Sequence, residues 1–338
     1  MAADRVAVLG AGSVGCFIGG CWQAAGLPVI FIGRPRIAHD IAANGLTVSD
    51  YGGWQQRLTE VDYRTDPAAL ADADIIALTV KSGATAEAAR QIAEHGRESA
   101  LVISFQNGIS NLDVLRAELG VRFEVVRGMV PYNVAYLGGG RFHKGVAGDL
   151  YAERRPETRT MAQRIGGGPA ALKLSDDMLG LAWGKLPINL NNAVNALSGR
   201  PLLEQLRERD YRRVVAASQR EGLRLLSRAD IRPAKIGAVG PKLLPVVLGA
   251  PDWLFNNIFL KAWKIDAKAR SSMADDLAAG RKTEVDYING ELVTLAEGLG
   301  TQAPVNRTIV GLIRSAETGA EAWEPAALRR EANEALAA

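Results

Sequence analysis

Residues 10–15 read Gly-Ala-Gly-Ser-Val-Gly and directly follow the apolar run Arg5–Leu9. Glycines at the first, third and sixth of these places answer three different needs of a bound pyrophosphate. Gly10 permits a tight turn, Gly12 lets the backbone approach the phosphates, and Gly15 lets a helix pack closely on the strand, with Gly19 and Gly20 extending that small face. The phosphates would rest on the unpaired N–H groups at the positive end of the helix. Gly10, Gly12, Ser13, Val14 and Gly15 are therefore candidate dinucleotide-binding positions. With 36 glycines in the chain such a match arises readily by chance. What sets this one apart is the order strand, turn, helix.

A dinucleotide site that reads the free ribose hydroxyl of NAD places an acidic residue about 20 residues beyond such a turn. Here the second apolar run, Val29–Ile32, ends in Gly33-Arg34-Pro35-Arg36, and the next carboxylate, Asp40, lies well into the following segment. A guanidinium forks onto a phosphate, whereas a hydroxyl needs no cation. Arg34 thus points to NADP(H), against the plainer reading of Arg34 and Arg36 as solvated loop residues. Two more apolar runs end in polar residues, one at Lys81 and one at Gln106-Asn107-Gly108. Strand ends of an open parallel sheet line its ligand crevice. Lys81 as a surface lysine and Asn107-Gly108 as a turn pair are the competing readings.

In the second half, Lys185 and Asn189 are four residues apart and share a helix face. Asn191, Asn192 and Asn195 follow among Leu186, Ile188, Leu190, Val194 and Leu197. Asparagine is a poor helix-interior residue, so this density suggests groups that bind something, with a hydrogen-bonded helix contact as the alternative. Pro187 implies that the helix starts near Lys185 or bends there. Farther on, Ser271-Ser272-Met273 precedes Lys282-Thr283-Glu284-Val285-Asp286-Tyr287-Ile288-Asn289-Gly290. Thr283 and Asp286 resemble a capping box, which puts Glu284 in the first turn of a helix, where its ionised form is favoured. Glu284 therefore suits accepting a hydrogen bond better than donating a proton.

The elements that must carry these residues follow from the apolar pattern. Arg5–Leu9, Val29–Ile32, Ile75–Val80 and Leu101–Phe105 are apolar at nearly every position, as strands covered on both faces require. Ser13–Ala25, Ala84–Glu94 and Asn111–Leu119 fit helices between them. The alternation predicts an α/β fold, a Rossmann-type doubly wound parallel sheet. Val125–Tyr136 and Arg141–Ala152 fit further strands. Beyond the breaker Gly166-Gly167-Gly168-Pro169 the pattern turns helical: Asp176–Leu197, Leu202–Arg228, Lys242–Lys264, Ser272–Ala279 and Thr283–Leu299. The expected organisation is an NADP-binding domain over 1–172 and an all-helical substrate domain over 173–338.

Composition narrows the function classes. Of 338 residues 48% are hydrophobic and 23% charged, ordinary for a globular protein. Forty Lys and Arg against 37 Asp and Glu leave a net charge of +3, which gives no electrostatic reason to expect nucleic acid or a membrane surface as partner. Cys16 and Cys21 cannot build a disulfide framework, and three scattered histidines suggest no metal site. With no signal-like apolar start and no run approaching ~18 apolar residues, the expected compartment is the cytoplasm.

Taken together these stretches resemble the ketopantoate reductase (2-dehydropantoate 2-reductase) family. The resemblance runs through nearly the whole chain: the Gly10–Gly15 turn, the strand ending at Lys81, Gln106-Asn107-Gly108, Trp183-Gly184-Lys185-Leu186 with Asn189, Ser271-Ser272-Met273, and the 282–290 motif. It implies reduction of the keto carbon of ketopantoate by NADPH, giving D-pantoate for pantothenate synthesis. By the same resemblance Lys185 is the general acid and Glu284 the carboxylate that holds substrate and lysine in line. Asn107 touches nicotinamide ribose and substrate, Asn189 and Ser272 hold substrate, and Arg34 and Lys81 meet the cofactor. The chemistry agrees, since hydride arriving at a ketone leaves negative charge on oxygen that a nearby cation can both stabilise and protonate.

Two stretches depart from the family pattern. Ala193-Val194-Asn195-Ala196-Leu197-Ser198 replaces an Asn-Pro-Leu-Thr run, and the segment between Arg232 and Lys268 is long, carrying Trp253, Phe255, Phe259 and Trp263. Such an aromatic stripe serves as core or subunit contact, or lines a larger pocket. The first reading is accordingly an NADPH-dependent 2-oxo acid reductase that takes ketopantoate, with a homodimer as a possible assembly. A paralogue reducing another 2-oxo acid or a bulkier ketone, and an NADP(H)-sensing regulator, are the alternatives. A sensor would need neither Lys185 nor Glu284.

Overall fold

The computed structural model describes residues 5–237, 239–263, 265–266 and 269–337. Two compact units divide the chain, one through Met178 and the other from Leu179 onward. In the first unit the strands are β1 (Val6–Leu9), β2 (Val29–Ile32), β3 (Leu46–Asp50), β4 (Gln55–Leu58), β5 (Asp62–Arg64), β6 (Ile75–Leu78), β7 (Leu101–Ser104), β8 (Glu124–Met129), β9 (Val134–Tyr136), β10 (Arg141–Lys144), β11 (Leu150–Glu153) and β12 (Leu172–Ser175). Its helices are α1 (Ser13–Ala24), α2 (Pro35–Asn44), α3 (Thr85–His95), α4 (Asn111–Leu119) and α5 (Pro156–Ile165).

Eight strands form one sheet in the order β12-β11-β8-β7-β6-β1-β2-β5. The run from β5 to β8 is parallel. Strand β11 then pairs antiparallel with β8 and parallel with β12, so the sheet is mixed at that edge. The continuous apolarity of the central strands has its expected cause: Val6, Val8, Phe31 and Ile75 belong to the core on one face, and Ala7, Leu9, Ile30 and Ile76 to the core on the other.

A second sheet, β4-β3-β10-β9, is not foreseen by the apolar pattern. Its strands are short and partly exposed, and Gln55–Leu58 carries no apolar face of its own. The expected strand Val125–Tyr136 is divided between the two sheets, because Pro131 brings no N–H to a ladder. Arg141–Ala152 is divided likewise, across Gly145 and Gly148. At Gly148 (φ +152°) a Cβ would come 2.9 Å from the ring of Pro131.

Helix α1 lies between the sheets. A Cβ on Gly19 would sit 2.6 Å from Phe31 of the large sheet, and one on Gly20 would sit 2.8 Å from Val48 of the small one. These two glycines therefore serve opposite faces rather than one extended face. Trp22, fully buried, donates from Nε1 to Ala170 O at 3.1 Å.

Among its described residues the second unit is built of helices: α6 (Met178–Asn189), α7 (Asn191–Ser198), α8 (Leu202–Arg207), α9 (Arg209–Arg228), α10 (Leu244–Gly249), α11 (Asp252–Leu254), α12 (Leu260–Trp263), α13 (Ser272–Ala278), α14 (Asn289–Gly298), α15 (Pro304–Ala316) and α16 (Pro325–Ala337). Several expected long helices are broken, each for a local reason. Asp176–Leu197 breaks at Leu190, where Gln219 Nε2 takes the Pro187 carbonyl at 2.8 Å. Leu202–Arg228 breaks at Glu208, because the buried Arg212 guanidinium takes the carbonyls of Leu206 and Arg207, both at 3.0 Å. Lys242–Lys264 breaks at Ala250, whose α conformation the following Pro251 disfavours. Lys264 itself lies outside the described residues. Thr283–Leu299 becomes a single 3₁₀ turn, Val285–Tyr287, followed by α14.

Helices α9, α14 and α15 are joined by a buried polar cluster. Glu221 accepts from the N–H of Val305 at 3.1 Å and of Asn306 at 2.9 Å, capping an α15 whose own N-cap is Ala303. Asn306 Oδ1 in turn accepts from Ser218 Oγ at 2.7 Å and Asn289 Nδ2 at 3.0 Å. No described helix is long and apolar enough to cross a membrane. Removing Glu221 would leave several buried donors unsatisfied, so Glu221→Ala is expected to cost about 2–4 kcal/mol, read as a lower urea midpoint.

Candidate active site

At the end of β1 the chain turns on Gly10 (φ +89°), where a Cβ would fall 2.6 Å from Val80 N. The N–H groups of Gly10 and Ala11 both donate to Ile32 O at 2.9 Å, which ties the turn to the end of β2. Gly12 is the N-cap of α1, with no side chain capping the helix and no acid in its first turn. A Cβ on Gly12 would meet only Gly10 O, at 3.8 Å, so the turn is bare on that side. Gly15 is the reverse case, with Thr79 Oγ1 at 2.5 Å and Val8 Cγ1 at 2.9 Å from the missing atom. An unneutralised helix N-terminus behind a bare glycine is what a pyrophosphate needs. The residues present fit a dinucleotide, with Ser13 and Val14, both half-buried, in the first turn of α1. Thr79 was missed by pattern reading; its hydroxyl lies 3.0 Å from Gly10 O and 3.2 Å from Leu9 O, and a polar residue just past an apolar strand was the available signal.

At the end of β2, Arg34 is exposed and forms the N-cap of α2. The neighbouring Arg36 is stacked 5.3 Å over the ring of Tyr136. Asp40, the first carboxylate after the turn, is engaged by the Tyr136 hydroxyl. Arg36 and Asp40 are thus both engaged with Tyr136.

Lys81 is exposed and Asn107 half-buried, on the loops that follow β6 and β7. Ser82, Thr85 and Asn111, all buried, knit those loops together. Ser82 Oγ donates to Asn107 O at 3.0 Å, and Asn111 Nδ2 donates to the same carbonyl and to Ser82 Oγ at 3.1 Å. The Thr85 hydroxyl lies 2.7 Å from Ser82 O and accepts from Gln106 Nε2 at 2.8 Å. Arg127 holds the far side through Ile109 O at 3.0 Å. Gly108 (φ +88°) supplies the turn that the Asn-Gly pair predicts. Nothing in the apolar pattern marks Ser82, Thr85 or Asn111, because each is one small polar residue at a helix start.

In the helical unit Lys185 and Asn189 lie half-buried on α6. Gly184 is bare because the Ala234 backbone crosses it, with Ala234 O only 2.1 Å from where a Cβ would stand and Ala234 N–H donating to Gly180 O at 2.8 Å. Burial pushes the Lys185 ammonium down from the ordinary lysine value to about 8, while the charge of Glu284 acts in the opposite sense. The structure thus couples these two sequence-selected groups. Glu284 is half-buried and precedes the 3₁₀ turn instead of lying inside a helix. The expected capping box is absent: the Thr283 hydroxyl donates to Glu317 Oε1 at 2.7 Å and accepts from Val285 N–H at 3.3 Å, and Asp286 pairs with Arg314 at 2.8 Å.

The asparagines divide by role. Asn195 is fully buried, donates to Arg200 O at 3.0 Å and accepts from Ser271 N–H at 2.9 Å, so it is structural and not a binding amide. Asn192 O accepts from Ser271 Oγ at 3.0 Å, and the same oxygen of Ser271 caps α13 through Ala274 N–H at 3.1 Å. Ser272, beside that buried cap, is exposed. In the aromatic stripe Phe255 is fully buried, 4.2 Å beneath the Arg212 guanidinium and edge-on to Trp263 at 5.7 Å. At Phe255 the stripe is therefore core.

Residues 6–157 match the family described as Ketopantoate reductase PanE/ApbA, and residues 177–317 match its C-terminal counterpart. A 2-dehydropantoate 2-reductase of Archaeoglobus fulgidus is 28% identical over 325 residues, covering 94% of this chain and 100% of that protein. The crystal structure of a PanE/ApbA family ketopantoate reductase from Ralstonia eutropha is 28% identical and superimposes with a TM-score of 0.78, covering 93% of this chain and 98% of that one. The ternary structure of D-mandelate dehydrogenase with NADH and anilino(oxo)acetate shares the fold at a TM-score of 0.74 and 17% identity, over 93% of this chain and 98% of that one. Matched in both halves and in its fold, the chain belongs to the ketopantoate reductase family of nicotinamide-dependent oxidoreductases.

Proposed function

We propose that this protein reduces 2-dehydropantoate to D-pantoate with NADPH. The observation that carries the reading is the state of Lys185. A lysine whose pKa falls to about 8 is still mostly protonated near neutrality, yet gives up its proton far more readily than one in water. Reduced nicotinamide, when bound, supplies the hydride to the keto carbon. The Lys185 ammonium then both steadies the negative charge that develops on the carbonyl oxygen and delivers the proton that completes the alcohol. Glu284 keeps that ammonium charged by its own negative charge, and Asn189 and Ser272 supply polar groups for the substrate. Asn107 holds substrate and nicotinamide ribose, on a loop pinned by Ser82 and Asn111. Gly10, Gly12 and the start of α1 take the pyrophosphate, and Arg34 with Lys81 takes the remaining phosphate charge.

The reading is tested by following NADPH absorbance with 2-dehydropantoate beside a panel of other 2-oxo acids and aryl ketones. Turnover confined to a bulkier ketone would replace the substrate assigned here. Lys185→Ala should lower turnover by about 10²–10⁴-fold while NADPH still binds. Because the protonated form of Lys185 is the active one, reduction should be level below about pH 8 and fall tenfold per unit above it. Glu284→Gln removes the charge that holds this pKa up, so the break in its pH profile should move to lower pH. The glycines should separate binding from folding. Gly15→Ala, pressed against Thr79 and Val8, should lose about 1–3 kcal/mol of stability. Gly12→Ala should lose less stability but weaken NADPH binding about tenfold or more by blocking the approach of the phosphates.

A further inference from the structure

Tyr63, on the edge strand β5, is claimed by no motif in the sequence. Its ring lies parallel to that of Phe31 on β2, at an interplanar angle of 2° and 6.2 Å between centroids. The hydroxyl passes over Gly33 and donates to Ala11 O, inside the glycine turn, at 2.7 Å. Burial raises the phenol above the ordinary tyrosine range, so it remains a neutral donor. The passage is tight: a Cβ on Gly33 would stand 2.3 Å from the Tyr63 oxygen and 2.9 Å from Ala11 O. One phenol oxygen is therefore bonded to the glycine turn while it lies against Gly33, the residue directly before Arg34.

We propose that Tyr63 is a positioning residue for cofactor selectivity, setting the distance between the glycine turn and Arg34 so that a dinucleotide bearing a 2′-phosphate spans both. Arg34 is exposed, and an exposed guanidinium gains little from a phosphate unless its backbone is fixed relative to the rest of the ligand. Gly33 and Tyr63 act as a pair, the missing side chain leaving the path that the phenol fills. Placing a neutral phenol there also keeps a carboxylate out of the position from which it would repel the 2′-phosphate. The proposal rests on the NADPH reading of Arg34 given above.

Dissociation constants for NADPH and NADH, read from nicotinamide fluorescence, test it in the wild type, Tyr63→Phe, Arg34→Ala and the double variant. Phenylalanine keeps the stack on Phe31 and removes only the hydroxyl with its hydrogen bond to Ala11 O. Tyr63→Phe should weaken NADPH about fivefold and NADH less than about twofold, one bond of ordinary strength being at stake. Arg34→Ala should abolish the preference, and adding Tyr63→Phe to it should weaken NADPH less than about twofold further, since the two residues act through one contact. A thermal midpoint on each variant separates local loss from unfolding. Equal weakening of both cofactors in Tyr63→Phe, or an intact preference, overturns the role of Tyr63 alone. A wild type that does not prefer NADPH removes the reading of Arg34 and this proposal with it.

Discussion

Helix α1 occupies a space between two sheets that a side chain on either of two positions would close. Gly19 lets it approach Phe31 of the large sheet and Gly20 lets it approach Val48 of the small one, and both contacts would fall below 3 Å with a Cβ in place. Everything on the cofactor side follows from where that wedge puts its first turn. The N-terminus of α1 arrives at the ends of β1 and β2, its N–H groups uncapped by any side chain. Gly15 closes the same helix onto Val8 and Thr79, so the turn is held from behind while Gly12 stays bare in front. Close packing and an open approach to the turn are supplied by different glycines of one short run, which is why the spacing matters more than their number.

The helical unit meets an opposite difficulty: its polar groups are buried and must be satisfied. Glu221 caps α15, Asn306 bridges to Ser218 and Asn289, and Arg212 gathers the carbonyls of Leu206, Arg207, Leu248 and Ala250. Each such group left unpaired would cost more than its hydrogen bond contributes. The consequence is geometric. Taking carbonyls out of helical ladders ends those helices, so α8 stops before α9, and the Pro187 carbonyl goes to Gln219 where α6 gives way to α7. Short helices with buried side-chain partners in turn fix the residues they carry, among them Lys185 and Asn189, on either side of Pro187.

This explains which parts of the molecule could be read from the chain and which could not. The central strands were legible because burial on both faces writes itself as unbroken apolar runs, and the glycine turn because each of its residues answers a separate steric demand. The small sheet was not, since Gln55–Leu58 is mostly exposed and carries no alternation to detect, and the same holds for Asp62–Arg64 at the edge of the large sheet. The helix break at Leu190 depends on Gln219, distant in sequence, and the break at Glu208 on the buried guanidinium of the nearby Arg212, so the apolar pattern announces neither. Asn195 misled for a related reason: an amide in an apolar helix signals a partner, and the partner is the Ser271 backbone of the same unit rather than a ligand. At the candidate site, residue types with reactive groups were identified individually, whereas Ser82, Asn111 and Tyr63, which position them, carry no chemistry of their own to attract notice.

The balance at Lys185 joins these threads. Removing an ammonium from water disfavours its charge, and without compensation a buried lysine becomes a neutral amine at neutral pH, unable to donate a proton. A carboxylate placed too close would do the reverse, holding the proton so firmly that transfer to an alkoxide would gain little. The opposing influences of burial and of Glu284 leave the pKa at about 8, between those extremes. That intermediate value needs Glu284 to be near but not dominant. The departure of its segment from regular helix serves this end: Thr283 is drawn to Glu317 and Asp286 to Arg314, so the two residues flanking this stretch are committed elsewhere. An acid in the first turn of a helix would have been stabilised chiefly by backbone N–H groups. Glu284 instead precedes a single 3₁₀ turn, and its negative charge raises the Lys185 pKa against the effect of burial.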